Sequence, residues 1–176
     1  MRRSKIDTID RRILRDLQDD GRMTNVDLAR RAGISAPPCL RRVRALEDAG
    51  VIQGYTALVD ETALGFELTA FALVGLHNQA ESDLRAFENH VLGWPMVREA
   101  YMLSGESDYI LKCVAPDLPS FQDFVLNQLT AAPNVASVKT NLAIRRAKLA
   151  PGVNETSSEP VAPSAASPSG LSSKKM

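Results

Sequence analysis

A short helix, a glycine turn and a longer helix are predicted to follow one another near the N-terminus. Thr24 and Asp27 form the pattern Thr-x-x-Asp, a variant of the capping box, which predicts the start of the short helix. Gly33 allows a tight turn, and Ser35 can cap a longer helix that ends at Gly50. This succession predicts a helix-turn-helix.

The longer helix carries two prolines at its start and an apolar stripe along one side. Pro37 and Pro38 fall in the first turn, where backbone amides have no partner inside the helix. Leu40, Val43 and Leu46 recur at helical spacing and predict the buried side. We therefore expect the opposite side of this helix to point away from the core.

Three arginines, Arg41, Arg42 and Arg44, are predicted to point away from that core. In a helix-turn-helix the second helix enters the major groove of DNA, and a guanidinium group pairs with phosphate oxygens or with the edge of a guanine. The arrangement favours DNA binding, and the alternative is that the arginines only solvate an exposed helix face. The residues predicted to face DNA are Thr24, Asn25, Ser35, Pro37, Pro38, Arg41, Arg42 and Arg44.

A first helix and a wing complete the predicted N-terminal half. The first helix begins at Asp7, has Asp10 in its first turn and ends just before Gly21. Its apolar stripe consists of Ile9, Ile13, Leu14 and Leu17. Residues 51–60, VIQGYTALVD, predict a short strand pair, which would be the wing of a winged helix-turn-helix.

The balanced total charge conceals two halves of opposite sign. Residues 1–60 carry 12 basic and 9 acidic side chains, whereas residues 61–150 carry 7 and 10. The last 26 residues include four prolines and seven serines and no aromatic residue, which predicts a disordered tail. We expect a DNA-binding domain over 1–62, a second domain over 63–150 and the tail over 151–176.

Strand-like and helix-like stretches alternate in the second domain. Strands are predicted over 66–77, 96–103, 108–115 and 135–146, and helices over 80–92 and 120–132. The order β-α-β-β-α-β is that of the ferredoxin-like plait, so the whole chain is predicted to be an α+β protein. The first strand is apolar on both sides, and we expect the sheet face without helices to be buried against a second copy of the chain.

A short loop with the sequence SGESDY, at 104–109, connects the second and third strands. Gly105 allows a close backbone approach or a positive φ, and the Asp108 carboxylate can face an ammonium group while loop amides face a carboxylate. That combination suits the zwitterion of an α-amino acid, and the alternative is a hairpin turn in which both residues only shape the backbone. The predicted effector residues are Met102, Gly105, Glu106, Ser107, Asp108, Tyr109 and Thr140, with Tyr101, Leu103 and Asn141 as further candidates.

The sequence disfavours export and membrane insertion. Cys39 and Cys113 form no disulfide framework and no metal-like spacing, and we interpret Cys39 as a small packing residue. No run approaches the ~20 apolar residues that a membrane span requires, and the N-terminus turns charged where a signal peptide would be apolar. We expect a cytoplasmic protein.

An enzyme on the second domain is the alternative from a different functional class. It would use Glu106 and Asp108 as a carboxylate pair, with His77 or His90 as a base. No nucleophile with a nearby base, no phosphate-binding glycine loop and no metal spacing accompanies them. We therefore expect a protein that is not an enzyme and that uses no cofactor and no metal.

Three stretches of the chain carry a family resemblance: the run IDxxDRRIL with a following leucine at 6–17, ISAPPCLRRVRALEDAGVIQGY at 34–55, and SGESDY at 104–109. Together they resemble the Lrp/AsnC (leucine-responsive, feast/famine) transcription regulators, over residues 5 to about 148. The resemblance implies a winged helix-turn-helix and an αβ plait that dimerises, often assembles to tetramers or octamers, and binds amino acids between plaits. It also implies control of amino-acid metabolism genes, while a ligand-independent architectural DNA-binding protein stays open as an alternative.

Overall fold

The structure of the protein, a computed structural model, describes residues 6–150 and 152–153. These residues form two compact units: the first contains residues 6–57 together with Ala150 and residues 152–153, and the second contains Leu58–Leu149. Apart from residues 152–153, the predicted disordered tail lies outside the described residues.

Three helices form the N-terminal unit: α1 at Thr8–Asp19, α2 at Asn25–Ala32 and α3 at Ala36–Asp48. One apolar stripe of each helix faces a common core. The buried core side chains are Ile13, Leu28, Ala29, Ala32, Cys39 and Leu46. The predicted helix-turn-helix is confirmed, and Cys39 is a packing residue as predicted.

Side chains at the helix starts satisfy backbone amides that have no partner within the helix. The Asp7 carboxylate accepts a hydrogen bond from the Asp10 amide at 2.8 Å, and the Asp7 amide donates to the Asp10 carboxylate at 3.1 Å. The Thr24 hydroxyl oxygen accepts from the Asp27 amide at 3.2 Å. The predicted starts of α1 and α2 are thereby confirmed.

Ser35 occupies the capping position of α3, but its side chain forms no capping bond, so this part of the prediction is wrong. A capping side chain accepts from the amide of the second or third helical residue. Because α3 begins at Ala36, those residues are Pro37 and Pro38, which have no N–H group. The prolines remove the unpaired donors that Ser35 would otherwise satisfy.

The buried side of α3 differs from the predicted stripe by one residue. Cys39 is fully buried, Leu46 is nearly so, and Val43 is half-buried. Leu40, which we predicted to be inside, is 38% exposed. Cys39, Val43 and Leu46 therefore form the inward stripe of α3, and Leu40, about 100° around the helix from Cys39, lies on the solvent side of that stripe.

Residues 51–60 form no strand, and the predicted strand pair of the wing is therefore wrong. Val51 and Ile52 pack against the helical core, and the Tyr55 hydroxyl donates to the Glu47 carboxylate at 2.9 Å. A two-stranded hairpin is marginal by itself in water, whereas these contacts tie the segment to the helices.

The second unit is a four-stranded antiparallel sheet with two helices. Its strands are β1 at Leu68–Leu76, β2 at Val97–Met102, β3 at Tyr109–Ala115 and β4 at Val135–Leu142. Its helices are α4 at Glu81–Leu92 and α5 at Leu118–Phe124, and a 3-10 turn at Thr62–Leu64 precedes β1. The strand order β2-β3-β1-β4 and the chain order confirm the predicted ferredoxin-like plait.

The two faces of this sheet differ in their surroundings. The core on the face that α4 and α5 cover consists of Ala70, Ala72, Val74, Leu76, Leu84, Phe87, Tyr109, Leu111, Cys113, Ala115, Phe121, Phe124 and Leu129. On the other face, Phe71 pairs with Lys112 and Leu73 pairs with Ile110, and all four side chains are half-buried. This second face, apolar at its centre, points away from both helices.

The predicted helix over 120–132 is divided in the structure. It begins earlier, as α5, and continues as a π-helical turn at Val125–Leu129. Phe124 and Leu129 are both buried and are five residues apart, which is the spacing of a π turn. The turn therefore keeps both side chains on the core side.

We expect Gly75→Ala to change the free energy of unfolding of the second unit by less than about 1 kcal/mol. A Cβ atom at Gly75 would lie 2.7 Å from Ser137 Oγ, but Ser137 is exposed and its hydroxyl can rotate toward solvent. Denaturant unfolding with Trp94 fluorescence as the signal measures the change, and Gly105→Ala is the control, since no atom lies within 4 Å of a Cβ there. A larger loss that a Ser137→Ala background removes would contradict this account.

Candidate DNA-binding surface and effector loop

The outward side of α3 forms a shallow open groove with a volume of about 400 Å³. The lining residues are Pro37, Leu40, Arg41, Arg44, Ala45 and Asp48. They recur at steps of three or four residues and therefore share one side of the helix. Arg41 and Arg44 are exposed and place two guanidinium groups on this side, where they can meet phosphate oxygens or purine edges.

Arg42 does not point outward, contrary to the prediction. Its Nη1 donates to the Asp7 carboxylate at 2.7 Å and to the Asp10 carboxylate at 2.8 Å. Because Cys39 and not Leu40 faces the core, α3 is rotated relative to the predicted orientation, which turns Arg42 toward the start of α1. We therefore assign Arg42 to the positioning of α3.

Asp7 and Arg42 influence each other's protonation. The Asp10 amide and, after it, the Arg42 guanidinium hold the pKa of Asp7 below its ordinary value, although desolvation opposes them. The hydrogen bonds to Asp10 and Asp7 raise the pKa of Arg42. The Asp7 carboxylate thus caps α1 and binds α3 at the same time.

Thr24 and Asn25, both predicted to face DNA, make contacts within the N-terminal unit. The Thr24 hydroxyl donates to the Asp27 carboxylate at 2.6 Å and remains exposed. The half-buried Asn25 donates from Nδ2 to the Ala36 carbonyl at 2.9 Å and so joins the start of α2 to the start of α3. Gly33, with φ of 77°, adopts the left-handed conformation that lets the chain turn between the two helices.

Both cysteines are buried thiols. Burial raises the pKa of Cys39, with Arg42 opposing it, and burial raises the pKa of Cys113 to about 11. Since the thiolate is the reactive form, these shifts favour packing roles for both side chains.

Asp108 anchors the end of the candidate effector loop. Its Oδ2 accepts from the Leu76 amide at 2.6 Å, and its Oδ1 accepts from the Gln79 side-chain amide at 2.8 Å. The Asp108 amide donates to the Val74 carbonyl at 2.9 Å. The carboxylate thus shapes the backbone at the end of the loop, and its contact with an ammonium group stays a prediction.

Tyr109, predicted to line the effector site, lies in the core beneath the helices. Its side chain is 2% exposed, its ring centroid is 4.9 Å from that of Phe87, and its hydroxyl donates to the Glu88 carboxylate at 3.1 Å. Burial, followed by the bond to Glu88, raises the pKa of Tyr109 to about 12. Strand alternation places the ring on the helix-covered face, away from the open side of the loop.

The tip of the loop is open to solvent. Gly105 and Glu106 are exposed. Of the two roles predicted for Gly105, the positive φ is wrong, whereas a close approach of a ligand to the backbone stays a prediction. Met102 lies on edge strand β2, beside the loop, whereas Thr140 lies on the opposite edge strand β4. Three inter-strand spacings, roughly 14 Å, separate these edges, so one chain does not bring Thr140 to the loop.

His90 and Asp108, which the enzyme alternative would use as a base and a carboxylate, make contacts with other groups. His90, at the end of α4, stacks on Trp94 with 6.3 Å between ring centroids, and the Asp108 carboxylate is engaged as described above. Over residues 6–150 and 152–153, no group of three or more His, Cys, Asp or Glu side chains could hold a metal ion. Within the same described ranges, every helix is too short or too polar to cross a bilayer.

A helix-turn-helix with an arginine-bearing second helix, followed by an αβ plait, defines a two-domain DNA-binding protein. Residues 6–53 match the family model for winged helix-turn-helix DNA-binding, and residues 69–153 match the model for the Lrp/AsnC ligand binding domain. The chain belongs to the Lrp/AsnC family of transcription regulators, which confirms the resemblance found in the sequence.

Two known relatives match this chain over nearly their whole length. The leucine-responsive regulatory protein of Rhizobium meliloti is 60% identical over 146 residues, covering 83% of this chain and 94% of that protein. The Bkd operon transcriptional regulator of Pseudomonas aeruginosa is 40% identical, covering 83% of this chain and 95% of that protein. Both relatives are regulators.

Solved structures share the fold. A transcriptional regulator from Neisseria meningitidis in complex with L-Met has a TM-score of 0.80 at 34% identity, covering 84% of this chain and 96% of that one. An AsnC family transcriptional regulator from Agrobacterium tumefaciens has a TM-score of 0.81 at 31% identity, with 86% and 99% covered.

We expect Asp7→Asn to reduce the acid sensitivity of the N-terminal unit. The pKa of Asp7 lies below its ordinary value of 3.8, so its ionised form stabilises the fold above that pH, and this contribution is lost as the pH falls through the folded pKa. Asparagine keeps the capping bond from the Asp10 amide but loses the ion pair with Arg42. The urea midpoint, followed by the Ile13 methyl resonance, should change less between pH 7 and pH 3 than in the parent chain.

The control for this measurement is Asp19→Asn, which changes an exposed aspartate at the other end of α1. This variant should keep the acid sensitivity of the parent chain. An Asp7→Asn variant with the same pH dependence as the parent would contradict the role assigned to the Asp7 ion pair.

Proposed function

We propose that this chain is a sequence-specific DNA-binding transcription regulator whose affinity for DNA is modulated by an amino acid bound at the plait. The observation that carries the proposal is the exposed pair Arg41 and Arg44 on the side of α3 that points away from the helical core. Residues 1–62 would bind DNA, and residues 63–150 would dimerise and bind the effector. Its bacterial relatives support a location in the cytoplasm, where bacterial DNA lies.

In this proposal the first half of α3 lies in the major groove. Arg41 and Arg44 contact phosphates or guanine edges, and Pro37 contributes a short side chain that lets the helix approach the bases. Ser35 is exposed and makes no capping bond, so its hydroxyl is available to a phosphate. Asn25 supports these contacts by holding the start of α3.

The second sheet face supplies the surface for dimerisation. Phe71, Leu73 and Ile110 lie at its centre, and a second copy of the same face would remove them from water. A twofold pair of recognition helices then contacts two half-sites about 34–36 Å apart, which raises affinity through multivalency. Dimers can assemble further into tetramers or octamers.

The effector site is proposed at the open tip of the loop, near Gly105 and Glu106. Main-chain groups there can bind the carboxylate and ammonium groups of an amino acid, and a neighbouring copy would supply the residues that one chain keeps apart, such as Thr140. The L-Met complex of the Neisseria regulator and the leucine-responsive relative support an amino acid as the ligand and amino-acid metabolism genes as the targets.

We expect the double variant Arg41→Ala/Arg44→Ala to lose at least tenfold in affinity for a DNA site selected from a random pool by the parent protein. Each lost base or phosphate contact contributes about 1–3 kcal/mol, and the salt dependence of binding should weaken as well. Fluorescence anisotropy at two salt concentrations measures both effects. Arg98→Ala, an exposed arginine of the second unit, is the control. Unchanged affinity of the double variant would overturn the assignment of α3.

Isothermal titration with the twenty amino acids, beginning with L-Met and L-Leu, should detect binding to the parent chain. Binding should shift DNA affinity by about 1–3 kcal/mol, and DNA should shift amino-acid affinity equally. Gly105→Val should weaken amino-acid binding without loss of stability, because the added side chain meets no protein atom within 4 Å at its Cβ. If no amino acid binds, the proposed amino-acid modulation is overturned, and the ligand-independent architectural alternative is favoured.

A further inference from the structure

An exposed leucine lies within the arginine-bearing surface of α3. Leu40 is 38% exposed, because Cys39 takes the adjacent core position. Pro37 lies one turn before it, and Arg41 and Arg44 flank it on the same groove. The proposed DNA-binding surface therefore has an apolar centre between cationic groups.

An exposed leucine is ordinary on a protein surface, but the position of Leu40 on the helix is not. The N-terminal half of a recognition helix is the part that contacts base edges. Leu40 is the fifth residue of α3, within that half, whereas Asp48 ends the helix, where its carboxylate would repel phosphates. A residue at this position faces bases and not solvent when the helix lies in the groove.

The major groove offers such a side chain one apolar group, the C5-methyl of thymine. Phosphates and the hydrogen-bonding base edges are polar and would leave Leu40 unmatched. The flanking arginines also disfavour an apolar protein surface as the occupant, since both cations would then lose water without compensation.

We propose that Leu40 is a specificity-determining residue that contacts the C5-methyl group of a thymine in each operator half-site, next to the contacts of Arg41 and Arg44. The inference rests on the proposed function, because it assumes that this side of α3 meets DNA. It adds a requirement for a thymine at one position, which the arginines alone do not impose.

The test begins with a site that the full-length protein selects from a random double-stranded DNA pool. Each thymine of one half-site is then replaced singly by deoxyuridine, which keeps every hydrogen-bonding group and removes the methyl group. For the parent protein we expect one position at which the replacement lowers affinity about fourfold, the effect of exposing one buried methyl group.

The same series with Leu40→Ala completes a double-mutant cycle. The variant should bind the unmodified site more weakly and should no longer distinguish thymine from deoxyuridine at that position. Leu92→Ala, which changes an 85% exposed leucine on α4, is the matched control and should keep the parent's full sensitivity.

The outcomes separate the two proposals. If the pool yields no enriched site, the proposed DNA-binding function fails. If a site is enriched but no thymine is sensitive to loss of its methyl group, or if Leu40→Ala keeps the sensitivity of the parent, DNA binding stands and the role of Leu40 is overturned.

Discussion

The orientation of α3 depends on an ionic contact with the start of α1. There Asp7 and Asp10 accept hydrogen bonds from Arg42 of α3. Exposed ion pairs contribute little to stability, because water and salt screen them. This one is partly buried, and its carboxylates are already held by the capping bonds of α1, so pairing costs little further side-chain entropy. With the bond from Asn25 to Ala36, it holds α3 so that the groove-lining side faces outward.

The helices of the N-terminal unit could be predicted because their signals are local: a capping side chain, a glycine turn and apolar spacing. The orientation of α3 could not. Cys39 and Leu40 are adjacent and both apolar, and either one continues the stripe formed by Val43 and Leu46. In the structure Cys39 is buried and Leu40 is exposed, and in this orientation Arg42 reaches partners 35 and 32 residues away, which no local pattern reveals.

In the plait, the order of strands and helices followed from the change of apolar period, but the loop chemistry depends on which strands pair. Asp108 meets Leu76 and Gln79, 32 and 29 residues away, because β1 and β3 are neighbours in the sheet. The same pairing places Tyr109 beneath α4. Because of the strand order, Thr140 lies on β4, the edge strand farthest from β2. The fold class can thus be derived from the apolar periodicity. Which residues lie together in a site depends on the strand order and on the register in which the strands pair.

The anchoring of Asp108 divides the loop into a fixed base and an unconstrained tip. Its four hydrogen bonds, including the one that its carbonyl accepts from the Leu103 amide, secure the end nearest β3, while a Cβ atom at Gly105 would meet nothing within 4 Å and Glu106 is exposed. We therefore expect substitutions at Gly105 and Glu106 to have little effect on strand register and core packing. A duplicated copy of the gene could diverge at these two positions alone, so the chemistry displayed by the loop can evolve separately from the stability of the sheet that carries it.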